Sequence, residues 1–284
     1  MKFSIRALMS SALLACCTLI GPPAHADWPF SPTEAEWASW PMYCRAQYSW
    51  VNADFSFQYR YGGTVPWATV DHWRQIIGER AFTGMHHWCA SMHYLDRARR
   101  EPDPQKRDFL LSRASEDAMF SYGVTDSQSP VYPNMTVTVA QIRDAQGKPD
   151  QAQAVLQKGL QAQPKRSEPY VMLAMLHRKQ HKLSEARDVL SQADELTEGM
   201  SAEVKYNLGL INFELGDVAV ARANARAAYR LGYPLPGLKN KLRTKGQWSA
   251  EDEASISSPA IAQAKVGADE PRPQADGSVA PEKQ

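Results

Sequence analysis

Residues 167–200 read SEPYVMLAMLHRKQHKLSEARDVLSQADELTEGM. Apolar residues recur at helical spacing on both sides of the polar stretch HKLSE, which predicts two antiparallel amphipathic helices joined by a turn. Ala174 in the first helix and Ala186 in the second let the two backbones approach closely, and Leu173 and Leu190 fill the space between them. Ala193 leaves room for a following unit. The hairpin recurs on either side. Ala186 maps onto Ala152 34 residues earlier and onto Ala221 35 residues later. The same steps carry Leu173 to Val139 and Leu208, Ala174 to Ala140 and Gly209, and Ala193 to Gly159 and Ala228. A helix–turn–helix unit that cannot bury its own apolar face must stack on its neighbours, so the expected fold is an all-α solenoid.

Three units keep this register: Pro133–Arg166, Ser167–Met200 and Ala202–Tyr233, with Gly147 and Gly216-Asp217 at the turns of the outer two and Pro164 and Pro234 at repeat ends. The period, the helix pairs and the small residues resemble the tetratricopeptide repeat family. The chain departs from that pattern at two sites. Thr136, Tyr170 and Lys205 stand where the family has a bulky residue, and Arg143, His177 and Asn212 stand where it has an aromatic one. The resemblance implies a right-handed solenoid whose first helices line a concave groove. It places Asn134, Val137, Gln141 and Asp144 in that groove from the first repeat, and Glu168, Val171, Met175 and Arg178 from the second. The third adds Glu203, Tyr206, Leu210 and Phe213. Mixed polar and apolar groups of this kind suit an extended peptide or a partner helix, so the implied function is a non-catalytic scaffold or adaptor for a protein or peptide partner. For Tyr206, Leu210 and Phe213 a second reading stays open. Leu235, Leu238 and Leu242 predict a short amphipathic helix that covers the end of the last repeat, and these three residues lie beneath it.

The chain opens MKFSIRALMSSALLACCTLIGPPAHADW. Lys2 and Arg6, the apolar run Ala7–Ile20 and the small-x-small site Ala24-His25-Ala26 predict a secretory signal peptide over residues 1–26. Its apolar run is short for a membrane span. The expected mature chain therefore has no transmembrane segment and is periplasmic or secreted. Leu13-Leu14-Ala15-Cys16 offers a competing lipoprotein reading, with a poorly fitting leucine at its second position. Cleavage removes Lys2 and Arg6 but no acid, so the formal charge of +1 becomes −1. That balance argues against a nucleic-acid partner, which needs a basic stripe.

Residues 27–132 form an aromatic-rich helical region ahead of the repeats. Ser31 and Pro32-Thr33-Glu34 predict the start of a helix running to about Phe55, with a kink or restart at Pro41. Residues 59–66 read as a loop. A second helix is expected from about Thr69, with a break at Gly84, up to Glu101-Pro102. FLLSRASEDAMFSY then places Leu110, Ala114 and Ala118 on one face and pairs with the 85–100 helix as a degenerate hairpin. Seven tryptophans lie before residue 89 in this region, and only Trp248 lies elsewhere. They read either as a stacking platform for sugar rings or a peptide, or as rings sealing an irregular core.

Cys44 and Cys89 are the two cysteines that remain after cleavage, in an oxidising setting, and are expected to form a disulfide joining the first two helices. The alternative is chemical. His86, Cys89 and His93 lie at i, i+3 and i+7 on one helix face, and with Cys44 or His72 they have the atoms to hold zinc or copper. A disulfide consumes both thiolates, so the two readings exclude each other. The His-His-aromatic-Cys helix ahead of the repeats resembles one in other exported bacterial repeat proteins of unassigned function. No Gly-x-Ser-x-Gly, phosphate loop, His-Glu-x-x-His or haem-attachment motif is present, so no enzyme activity and no cofactor are expected. The organisation expected is thus 1–26 signal peptide, 27–132 helical cap, 133–246 three repeats and a capping helix, and 247–284 a disordered tail poor in aromatics. The runner-up function is metal or carbohydrate binding by the 37–93 helices.

Overall fold

The computed structural model describes residues 32–50 and 65–256. The signal-peptide and Cys16 readings, Ser31, residues 51–64 and residues 257–284 lie outside these. Every regular element among the described residues is an α-helix, thirteen in all.

The repeats are three hairpins: α6 (Tyr132–Ala145) with α7 (Pro149–Ala162), α8 (Ser167–Lys179) with α9 (Leu183–Leu196), and α10 (Ala202–Leu215) with α11 (Val218–Arg230). Each turn needs one residue in the left-handed region, and these fall at the repeat period: Gly147 at φ 72°, His181 at φ 60° and Gly216 at φ 89°. His181 holds a conformation that costs an L-residue about 1 kcal/mol or more, so the hairpin it closes must be stabilised by its packing. The predicted small residues sit where backbones meet. Ala140, Ala152, Ala174, Ala186, Ala193, Ala221 and Ala228 have no exposed surface. Gly159 is required by its neighbour, because a Cβ there would lie 2.6 Å from Thr136 Cγ2. Thr136 thus fills a bulky site with a small side chain, and its hydroxyl donates to Tyr132 O at 2.9 Å. Asn212, at an aromatic site, is also buried and donates to Leu208 O at 2.8 Å. These two buried polar groups thus find bonds within their own helices, which keeps the register intact.

Ahead of the repeats lie α1 (Glu34–Ser39), α2 (Met42–Trp50), α3 (Trp67–Ile77), α4 (Glu79–Arg100) and α5 (Pro104–Val124). Thr33, not Ser31, caps α1: its hydroxyl accepts from Glu36 N while Glu36 accepts from Thr33 N. The chain restarts at Pro41 as expected. The break between the later helices falls at Gly78, at φ 89°, rather than at Gly84. Gly84 instead lies inside a continuous helix, because its missing side chain admits α5: a Cβ there would meet Val124 Cγ2 at 3.1 Å, and Ser121 Oγ donates to Gly84 O at 2.8 Å. The tryptophans Trp37, Trp40 and Trp88 are buried, in one core that runs on into Met135, Val139 and Ile142 of α6. Trp88 Nε1 donates to Thr138 Oγ1 at 2.9 Å and ties the cap to the first repeat.

At the other end, α12 (Gly237–Thr244) inserts Leu238 and Leu242 against the last hairpin. A Cβ on Gly209 would lie 2.4 Å from Leu238 Cδ2, so the absence of a side chain at that repeat position seats the capping helix. The tail expected from residue 247 begins with structure instead. Trp248 is buried and α13 (Ala250–Ile256) follows. Its anchor is Asp252, fully buried, which accepts from Arg222 Nε at 2.8 Å and from Ser249 N at 2.7 Å.

Candidate functional site

The solenoid has two unlike layers. The first helices α6, α8 and α10 pack on one another in succession, whereas successive second helices share no comparable interface. A stack in contact along one layer and splayed along the other curves toward the first, so the first helices supply the concave face. Asn134, Val137, Gln141 and Asp144 are all half-buried on α6. On α8, Val171 is buried, while Glu168, Met175 and Arg178 are half-buried.

Ion pairs bind this face across the repeats. Lys179 Nζ sits 2.9 Å from Asp144 Oδ1, joining α8 to α6. Arg178 clasps Glu214 of α10 through Nε, 2.8 Å from Oε2, and through Nη2. Arg166 clasps Glu168 beside the start of α8. Two residues expected to be free for a partner, Asp144 and Arg178, therefore clamp neighbouring helices. Lys179 and Glu214, which complete these pairs, were not singled out from the sequence, although they lie about one repeat from their partners.

The third repeat differs. Tyr206 is buried and stacks on Tyr233 with ring centroids 4.1 Å apart, and Leu210 and Phe213 pack into the same cluster as Leu238 and Leu242. Lys241 Nζ lies 5.9 Å from the centre of the Phe213 ring. These three residues serve the capping helix. Glu203 alone of the third-repeat set is exposed.

Residues 145–208 match a family model described as tetratricopeptide repeat. That segment belongs to the tetratricopeptide repeat (TPR) family. A comparison with curated proteins returned no match. The TPR match begins at the end of α6 and stops within α10, so it spans the second repeat and its contacts on both sides. TPR arrays are scaffolds for protein–protein interaction, and the groove described above lies on the TPR first helices.

In the cap, Cys44 and Cys89 form a disulfide with Cα atoms 5.7 Å apart, and both are fully buried. The metal alternative loses its thiolate to this bond. His86 and His93 have other occupations: His86 Nδ1 lies 3.0 Å from Thr83 O, while His93 is buried against Trp40 and 3.9 Å from Glu36 Oε1. Among the described residues no group of three or more His, Cys, Asp or Glu side chains is arranged to hold a metal ion. Arg97 grips Glu36 with two bonds of 2.8 and 2.7 Å. Burial alone would raise the Glu36 carboxyl, but the Arg97 guanidinium and Thr33 N–H hold it down at about 2. An open cleft of about 480 Å³ runs between α1 and α4, lined by Glu36, Ser39, His93, Asp96, Arg99 and Arg100.

Burial, aided by neighbouring His87, lowers His86 to about 4 from its ordinary 6.5. The folded protein therefore refuses a proton that the unfolded chain accepts below pH 6.5. This contribution is intact above pH 6.5 and is lost as pH falls toward 4, by up to about 3 kcal/mol. Glu36 acts in a separate window, below 4.5, because its carboxyl is depressed. His86→Gln should make melting temperature depend less steeply on pH between 6.5 and 4.5, leaving the share that belongs to His93 and His177, whose pKa values burial also lowers. Wild-type and variant profiles of the same slope would remove His86 as the cause.

Proposed function

We propose that this protein is an exported, non-catalytic scaffold of the bacterial cell envelope, and that the concave TPR face binds a protein or peptide partner. The observation that carries the reading is the layer of first helices α6 and α8. It presents the half-buried apolar Val137 and Met175 among polar Asn134, Gln141 and Glu168, and its own ion pairs hold it rigid. A preorganised surface loses little entropy when an extended segment settles on it. The disulfide and the signal-peptide reading support export. No helix of the described residues is long and apolar enough to cross a membrane.

The test is capture by crosslinking from intact cells. Met175→Ala combined with Arg178→Ala should reduce partner recovery by about tenfold, because the first change removes an apolar contact and the second releases the Glu214 clasp that keeps the face preorganised, with helicity unchanged. Recovery that survives this pair but is lost when residues lining the α1–α4 cleft are altered would move the site to the cap. That outcome is where the second reading, carbohydrate or metal binding by the 37–93 helices, would have to operate. Its proposed stacking platform is weakened by the burial of Trp37, Trp40 and Trp88; among the described residues Trp67 is the tryptophan that stands most open, at 64% exposure.

A further inference from the structure

The charges of the three first helices can be accounted for one by one. On the cationic side, Arg143 donates to Gln146 Oε1 at 3.1 Å, Arg178 clasps Glu214, Lys179 pairs with Asp144, and Lys205 reaches Asp194 at 2.7 Å. His177 is held neutral, since burial and Lys182 lower its pKa. On the anionic side, Asp144, Glu214 and Glu168 are matched by Lys179, Arg178 and Arg166. Glu203 is left over: among the described residues its carboxylate makes no ion pair. It stands one repeat along from Glu168, on the face that carries Tyr206 one turn further on. An acidic peptide would find Arg178, Lys179 and Lys205 already paired with carboxylates, and Arg143 half-buried and bonded to the Gln146 amide at the far end of α6. A basic peptide finds instead, among the described residues, an exposed carboxylate with no ion-pair partner.

We propose that the concave face selects a partner segment bearing a lysine or arginine, whose cationic head is taken by Glu203, while an apolar neighbour in that segment rests on the half-buried Met175. The first turn of a helix also favours an acidic residue for reasons of its own, which accounts for Glu168 and Glu203 at helix starts but leaves the missing counter-ion unexplained. This inference rests on the reading that the concave face is the partner-binding surface.

The probe is a set of three fluorescent alanine–leucine peptides, identical except for paired lysines, glutamines or glutamates at the same positions. Binding to the mature protein is read by anisotropy at low and high salt. The lysine peptide should bind about tenfold more tightly than the glutamine one, a ratio within reach of a charge-assisted bond, with the advantage shrinking in salt. Glu203→Gln should remove that advantage, and Glu203→Lys should transfer it to the glutamate peptide; the site is exposed, and circular dichroism checks that both variants stay helical. If all three peptides bind alike and Met175→Ala with Arg178→Ala weakens them all, the basic-partner inference is wrong while the groove reading stands. If the lysine preference is present but ignores both Glu203 and Met175, the groove reading itself falls. Failure of the lysine peptide to bind at all overturns the proposal.

Discussion

Removal of the disulfide by Cys44→Ala with Cys89→Ala is expected to destabilise the N-terminal half of the protein by up to about 4 kcal/mol, the chain-entropy value for a loop of this length. The bond spans 45 residues and closes the segment that carries α2 and α3 back onto α4. Both sulfurs are fully buried, so alanine also leaves a small void and adds to the loss. The effect should not stop at the cap. Its core is continuous with Met135, Val139 and Ile142 of α6, so loosening α2 weakens its support of α4, whose Trp88 ties the cap to the first repeat. Thermal melting followed by tryptophan fluorescence reads this directly, since Trp37, Trp40 and Trp88 lie in the cap and Trp248 at the far end. The early transition should move down while the helical signal of the second and third repeats persists to higher temperature. Superimposable melts for the variant and the unreduced wild type would mean that the bridge contributes nothing. Two alkylatable thiols in the unreduced protein would mean that it does not form.

Ala186→Arg should be nearly as damaging, for a different reason. Ala186 has no exposed surface and sits in the cluster of Tyr170, Ala174, Leu190 and Ala193, where α8 and α9 touch. Overpacking alone costs about 1–3 kcal/mol. A guanidinium with no acid in reach adds several more or forces the helices apart. The hairpin is already closed by a strained His181, so it has little reserve. Ser184→Arg, two residues away on the exposed side of α9, is the control and should change the melting temperature little. Equal melting of the two variants would show that the register built on Ala186 is wrong.

The repeats were legible because their signal is periodic. Ala152, Ala186 and Ala221 report close helix contact whatever surrounds them, and a steric requirement repeated at 34 and 35 residues leaves few alternatives. The cap was legible only in outline. Gly84 looks like a break and is a contact, since glycine inside a helix is decided by what lies opposite it, here Val124 and Ser121. The helix after residue 247 carried a signal that went unused: Ser249 and Asp252 stand at capping-box spacing, and the sequence between them is otherwise tail-like. The candidate site was half legible. Its columns follow from the period, but whether Arg178 faces a partner or Glu214 depends on the distance between adjacent helices, which no period records.

What the sequence determined by itself is therefore what acts locally or at a fixed period: most of the helices, the turns between repeat helices, and the small-residue contacts. What only the tertiary structure decided is which surface remains available. Tyr206, Leu210 and Phe213 read identically whether they line a groove or lie under a cap, and Leu238 seated on Gly209 gives them to the cap. Asp144 and Arg178 read as open charges until Lys179 and Glu214 arrive across the repeat interface and neutralise them. Periodicity gives each residue a direction, and burial and charge pairing depend on what stands in that direction at a few ångströms.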